Sequence, residues 1–299
     1  MPILFALVGA TGVGKSRLSL ELAERLDAEI IGVDSRQIYK GFAIGTAQPP
    51  AEDLSRVKHH LVDFLDPRLA YSAGDFCASV KKLLSENPDR NYILVGGTGL
   101  YLQSLMLGLP QIPKIDETVR KSFEKDAIKF GSKSLYEKAK QVDPEAMEKV
   151  EENNLQRVIR ILEVYQLTGR KLSEWQKERE GGIGVLPVFW LNRSRENLYA
   201  RIDARVDQMV GEGWLDEIRE LAKTVPLDAP AWQSLGYREL LYAKDGAQVQ
   251  TVLEEVKRKT RNYAKRQLTW FRWQVKSTEV DLDTCSDPFE YIRNRVVVA

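Results

Sequence analysis

ILFALVGATGVGKSRLSLELAERL, residues 3–26, is the stretch from which the fold of this 299-residue chain is read. Ile3 to Val8 is a continuous apolar run, as in a strand buried on both faces. Gly9, Ala10, Thr11, Gly12, Val13, Gly14, Lys15 and Ser16 then match G-x-x-x-x-G-K-S. Leu18, Leu22 and Leu26 follow at helical spacing. Strand, glycine loop and helix in this order are the setting a phosphate loop needs. The glycines let backbone N–H groups turn inward around an anion, and the helix N-terminus adds partial positive charge. Lys15 supplies a full charge, and the Ser16 hydroxyl is a candidate Mg²⁺ ligand. The motif specifies a diphosphate-like anion; it does not specify ATP.

Working outward, Glu29 to Val33 predicts a second strand that ends at Asp34. Residues 35–72 are rich in turn signals, Ser72 to Ser85 is expected to be helical, and Tyr92 to Val95 reads as a buried strand running into Gly96-Gly97-Thr98. Strands alternating with helices predict an α/β fold, a P-loop NTPase-like core with a mostly parallel sheet. In such sheets the ligand crevice lies beyond the carboxyl ends of the strands, where Asp34, Thr98 and the loop would converge. Asp34 has two readings, a functional carboxylate or a turn cap. Gly96-Gly97-Thr98 also has two: a tight turn with Thr98 capping the next helix, or close backbone approach to a ligand with the Thr98 hydroxyl as donor. The absence of an acid after Val95 argues against metal-assisted hydrolysis of a γ-phosphate and leaves open a reaction in which diphosphate departs.

From about Pro113 the pattern becomes helical. Asp116 is expected to cap a helix to Phe130 that Gly131 stops; Asn154 to cap LQRVIRILEVYQLT, ended by Gly169; and Ser173 to Gln176 to form a capping box. A strand is expected again at 185–191, and 195–276 is mainly helical. The organisation read from this is a core in two parts, 1–112 and 183–299, with an inserted all-helical domain at 113–182. Net charge is +1, so any nucleic-acid surface must be local. The segment from Val256 to Trp273 has seven Lys and Arg and no acid, interleaved with Tyr263, Trp270 and Phe271, which reads either as a solvated helix face or as a phosphate-tracking surface. Cys77 and Cys285 lie far apart without ligand-spaced neighbours, which argues against structural zinc. The first apolar run is too short to span a membrane and lacks a basic leader, so a cytoplasmic protein is expected.

GATGVGKS, DSRQIYKGFAIGTAQP, HHLVDFLDP, YSAGDF, VGGTGLYLQSL, NLQRVIRILEVYQLTGRKLSE, LYARIDARVDQM and LGYREL occur here in one order. Together they resemble the bacterial tRNA dimethylallyltransferases, also called tRNA isopentenyltransferases, over nearly the whole chain. The resemblance implies transfer of the dimethylallyl group of dimethylallyl diphosphate to N6 of adenosine 37, beside the tRNA anticodon, with Mg²⁺ and without ATP hydrolysis. It implies that residues 9–16 hold the leaving diphosphate, that Asp34 acts as base or orienter for the amine, that Thr98 contacts the reacting centre or the diphosphate, and that Arg201 stabilises the diphosphate oxygens. It also implies that the insertion clamps the anticodon stem-loop. Asp34, Ser35, Arg36, Gln37, Thr98, Arg120, Gln156, Arg157, Val158, Ile159 and Arg160 are its expected tRNA contacts, and a monomer without membrane attachment is expected. Gln48 stands where family members often carry Lys. Three rival readings are a transferase acting on free AMP, ADP or ATP, a phosphate-loop kinase for a small metabolite, and a non-catalytic RNA-binding nucleotide switch. The insertion and the QRVIR segment favour the tRNA enzyme over a free-nucleotide one, because a free nucleotide needs no clamp.

Overall fold

The computed structural model describes residues 2–113, 115–148, 150–243 and 245–296. The chain divides into two compact units, Met1–Ser104 with Val185–Ala299, and Leu105–Gly184.

The first unit is built on a parallel sheet of β1 (Leu4–Gly9), β2 (Ala28–Val33), β3 (His59–His60), β4 (Asn91–Gly96), β7 (Val188–Asn192) and β8 (Thr278–Asp281), in the order β3-β2-β4-β1-β7-β8. β1 is central, and Phe5 to Val8 are fully buried, as expected for a strand covered on both faces. Register aligns the strand ends: Val8 pairs with Gly96, and Gly96 with Val33. Gly9, the last residue of β1, and Gly97 and Asp34, just past the ends of β4 and β2, therefore lie at one level at the carboxyl ends of the strands, where a parallel sheet offers its ligand crevice.

The Lys15–Arg25 helix packs Leu18, Leu22 and Ala23 into a core that includes Phe5, Ile93, Phe189 and Ile292. A capping box between Ser72 and Asp75 starts the Ala73–Glu86 helix. After β7 come helices Arg195–Gly211, Trp214–Thr224 and Tyr237–Leu241, then a 29-residue helix, Gly246–Gln274. β3 and β8 escaped the sequence reading. β3 is two residues long, and β8 (TEVD) is an edge strand with a single buried residue, Val280, too weak a pattern to read.

The second unit holds helices Glu117–Phe130, Ser132–Val142, Pro144–Met147, Leu155–Thr168 and Leu172–Lys177, with a short antiparallel ribbon of β5 (Leu109–Pro110) and β6 (Arg179–Glu180). Asp116 accepts from the Thr118 N–H and Asn154 from the Arg157 N–H, and Gly131 and Gly169 end their helices at φ 83° and 66°. The capping box expected at Ser173 does not form. The Leu172–Lys177 helix begins one residue earlier, and the Ser173 N–H and hydroxyl both donate to the buried Asp143 carboxylate, at 2.8 and 2.7 Å. That same carboxylate caps Pro144–Met147, so one buried acid joins two helix starts. Among the described residues, no helix is long and apolar enough to cross a membrane.

Candidate active site

The glycine loop between β1 and the Lys15–Arg25 helix has left-handed backbone at Gly12 (φ 78°) and Gly14 (φ 118°), which a side chain would strain. Lys15 Nζ donates to the Gly9 and Ala10 carbonyls, both at 2.9 Å. Burial lowers its pKa from the usual 10.5 to about 8, against a raising influence of Asp34 and with a lowering one from Arg205. Ser16 is exposed at the helix start. Arg201 Nε donates to the Gly12 carbonyl at 2.8 Å, and Arg193 Nε to the Val13 carbonyl at 2.9 Å. Arg193 is in turn paired to Asp283 at 2.6 Å. Arg205, one turn after Arg201 on the same helix face, is the cation that the sequence reading passed over. Burial lowers its pKa, with Arg201 adding to the effect and Asp34 opposing it. Lys15, Arg201, Arg205 and Asp34 line one cleft of about 1110 Å³.

Asp34 Oδ1 accepts the backbone N–H groups of Arg36 (2.8 Å) and Gln37 (3.2 Å), so it does cap the turn. Its second oxygen accepts no hydrogen bond among the described residues, and the cap thus leaves that oxygen available. The two readings of Asp34 are compatible. Thr98 precedes the Gly99–Leu107 helix and gives its carbonyl to the Tyr101 and Leu102 N–H groups. Its hydroxyl accepts from the Ser35 N–H at 3.1 Å, close to the Tyr263 phenol. Burial raises the Tyr263 pKa well above the usual phenol value. The glycines beside it are required by packing. A Cβ at Gly96 would lie 2.0 Å from the Val33 carbonyl oxygen, at Gly97 2.2 Å from Gln267 Nε2, and at Gly99 2.1 Å from Trp270 Cδ1.

The loop after Asp34 is held from several sides. Gln37 Nε2 donates to the Thr46 and Ala47 carbonyls, and Gln48 Nε2 to those of Gln37 and Tyr39. Gln48 therefore staples the loop without bringing a charge. Glu217 accepts the Ala43 and Ile44 N–H groups and the Tyr237 hydroxyl, which itself accepts from the Gly45 N–H. Arg36 donates to the Pro230 carbonyl at 3.3 Å.

In the second unit, Gln156 and Arg157 are exposed. Arg120 and Arg160 both reach the buried Glu163, at 3.3 and 2.9 Å. Val158 and Ile159 are a correction: with 0 and 4 % exposure they pack in the helical core, so their side chains present nothing to a ligand. The apolar stripe of Leu155–Thr168 claims them. The basic run of Gly246–Gln274 is largely neutralised within the fold. Lys257 pairs with Asp207 and Glu254, Lys259 with Glu239 and Glu255, and Arg261 with Asp203. Phe271 is buried, whereas Trp273 is 74 % exposed.

Fold and site together define an α/β protein with a glycine loop of phosphate-loop form, whose cleft brings Lys15, Arg201 and Arg205 together with Asp34. Residues 37–274 match the family model described as IPP transferase, and the chain belongs to that family. The tRNA dimethylallyltransferase of Fusobacterium nucleatum is 39% identical over 284 residues, covering 94% of this chain and 92% of that one. Among solved structures, the full-length tRNA isopentenylpyrophosphate transferase of Bacillus halodurans superposes with a TM-score of 0.71 at 37% identity, over 100% of this chain and 96% of that one. A eukaryotic dimethylallyltransferase described as acting on tRNA superposes with a TM-score of 0.76 at 26% identity, over 98% and 78%.

Proposed function

We propose that this chain transfers the dimethylallyl group of dimethylallyl diphosphate to N6 of adenosine 37 in a tRNA anticodon loop. One observation carries the reading within the family: Lys15, Arg201 and Arg205 line the cleft at the phosphate loop together with Asp34, whose second oxygen is free. Cations gather where a diphosphate would leave, and a carboxylate stands ready for an amine. In the reaction, the N6 nitrogen forms a bond to C1 of the dimethylallyl group as the C1–O bond breaks. The bonding pair departs with diphosphate, and Asp34 takes the N6 proton or orients the amine that loses it. Lys15 and the two arginines meet charge that grows on the bridging oxygen, where donors fixed in advance are worth most. Thr98, bonded to the Ser35 N–H beside Tyr263, sets the wall beside Asp34. The base must leave the loop stack to enter, at a few kcal/mol.

The exposed Ser16 hydroxyl makes no side-chain hydrogen bond among the described residues, and it suits a Mg²⁺ ion held mainly by diphosphate oxygens and water. When bound, the ion would neutralise charge on the leaving diphosphate. For the RNA, the proposal takes Gln156, Arg157, Arg160 and Arg120 of the helical unit as stem-loop contacts, with Asp34 to Gln37 near the flipped base. It takes the enzyme as a cytoplasmic monomer.

The test supplies labelled dimethylallyl diphosphate and Mg²⁺ with unmodified anticodon stem-loop RNA in one reaction and AMP in another. Label in the RNA alone is expected. Label in AMP would make this a free-nucleotide enzyme, and label in neither would end the transferase reading.

A further inference from the structure

The long Gly246–Gln274 helix places Thr260, Tyr263, Gln267 and Trp270 at intervals of three and four, hence on one face. Three of these side chains touch the two loops of the site. Tyr263 lies against the Thr98 hydroxyl, and Trp270 packs where a Cβ of Gly99 would lie. Gln267, only 5 % exposed, touches both loops at once. Its Oε1 accepts the Thr11 N–H of the phosphate loop at 2.9 Å, and its Nε2 donates to the Gly97 carbonyl at 3.0 Å.

Each of these bonds fixes a whole peptide plane, because N–H and C=O point opposite ways across a trans peptide. The Ala10–Thr11 peptide gives its N–H to Gln267 and its carbonyl to Lys15 Nζ. The Gly97–Thr98 peptide gives its carbonyl to Gln267 and its N–H to the Val33 carbonyl, next to Asp34. One amide thus orients the peptide that Lys15 leans on and the peptide that sets Thr98.

We propose that Gln267 is a positioning residue that couples the phosphate loop to the Gly96–Thr98 turn, so that seating a diphosphate and placing Thr98 are one event. A glutamine suits this task because it carries a donor and an acceptor on one planar group. This rests on the transferase reading for its assay and on geometry alone for the coupling.

Gln267→Met keeps the volume and removes both bonds. Expected are a fall in kcat of about 10–100-fold, as for misplacement by about 1 Å, and an unchanged KM for the stem-loop RNA. A purely structural role would lower folded yield and leave the kcat of the folded fraction near the parent value. Gly97→Ala approaches the same contact from the other side, since its Cβ would lie 2.2 Å from Nε2, and serves if Gln267→Met does not fold. In a Thr98→Ala background the Gln267→Met loss is expected to shrink to less than about threefold, the non-additivity of two residues that act as one. Calorimetric titration with inorganic diphosphate should show weaker binding in both Gln267→Met and Gly97→Ala. A kcat within twofold of the parent in the folded variants overturns the proposal, as does an undiminished loss in the Thr98→Ala background. If the parent chain moves no label to RNA, the transferase reading fails separately. The diphosphate titration then decides the coupling, and equal affinity in parent and variants overturns it.

Discussion

Lys15 offers the most direct measure of the anion site. Burial drops its pKa from 10.5 to about 8, a penalty on the charged form of roughly 3 kcal/mol. A bound diphosphate favours the charged form, so affinity should follow the protonated fraction of Lys15 in the free protein. That fraction is roughly nine-tenths at pH 7 and one-tenth at pH 9, which predicts binding about tenfold weaker at the higher pH. Dimethylallyl diphosphate itself stays about nine-tenths or more ionised across this window, since a phosphate monoester's last pKa is about 6. Stability has the opposite sign. The unfolded lysine binds its proton up to 10.5 and the folded one only to about 8, so between those values the unfolded state holds more protons and the free protein gains stability as pH rises. Above about pH 10 the buried tyrosines reverse the trend. Tyr101, Tyr237 and Tyr263 have pKa values raised by burial, so the folded state then holds protons that the unfolded state has lost. Calorimetric titration of the diphosphate at pH 7, 8 and 9 on the parent and on Lys15→Met separates these effects. An affinity flat within twofold for the parent, or an equal slope in Lys15→Met, would refute the assignment.

Three further predictions rest on single contacts. Arg205→Ala removes a buried cation beside Arg201 and Lys15; a loss of about 1.5–3 kcal/mol of interaction predicts kcat/KM reduced by about 10–100-fold, read by label transfer at subsaturating dimethylallyl diphosphate. Glu217→Ala leaves the Ala43 and Ile44 N–H groups and the Tyr237 hydroxyl without their acceptor; about 3 kcal/mol is expected, a Tm lowered by roughly 6–12 °C, and a shift below 2 °C in scanning calorimetry would show that water replaces the carboxylate. Arg157→Ala should weaken stem-loop binding and flatten the log Kd against log salt slope by about 0.7–0.9; an unchanged slope places Arg157 off the RNA.

What the sequence showed depended on the range of the signal. The phosphate loop was legible because strand, glycines, lysine and helix are contiguous, and the helix caps at Asp116 and Asn154 because capping is local. Arg205 was within reach, since four residues after Arg201 on a helix means the same face. Gln267 was not: a buried polar residue that joins positions 11 and 97 leaves no local trace. The basic run stayed ambiguous for the same reason, because three of its cations find acids at Asp203, Asp207 and Glu239, brought in by other helices. Val158 and Ile159 are a different case. The helical period already assigned them to the apolar stripe, and naming them as RNA contacts by resemblance overrode that.

The glycines that end β4 now have a physical reason. Gly96 faces the Val33 carbonyl, Gly97 faces the Gln267 amide, and Gly99 faces the Trp270 ring, each closer than a Cβ allows. An acid at 96 or 97, where a nucleotide hydrolase would carry one to act through a metal-bound water, has no room there. The carboxylate of this site comes instead from the neighbouring strand. Asp34 follows β2, and its turn is held by the Arg36 and Gln37 N–H groups, by Thr98 through Ser35, and by the Glu217 and Gln48 staples further along the loop. In the transfer reaction we propose, the phosphate loop would hold the leaving diphosphate while the carboxylate attends to the acceptor amine, and this division would follow from which strand has space for a side chain.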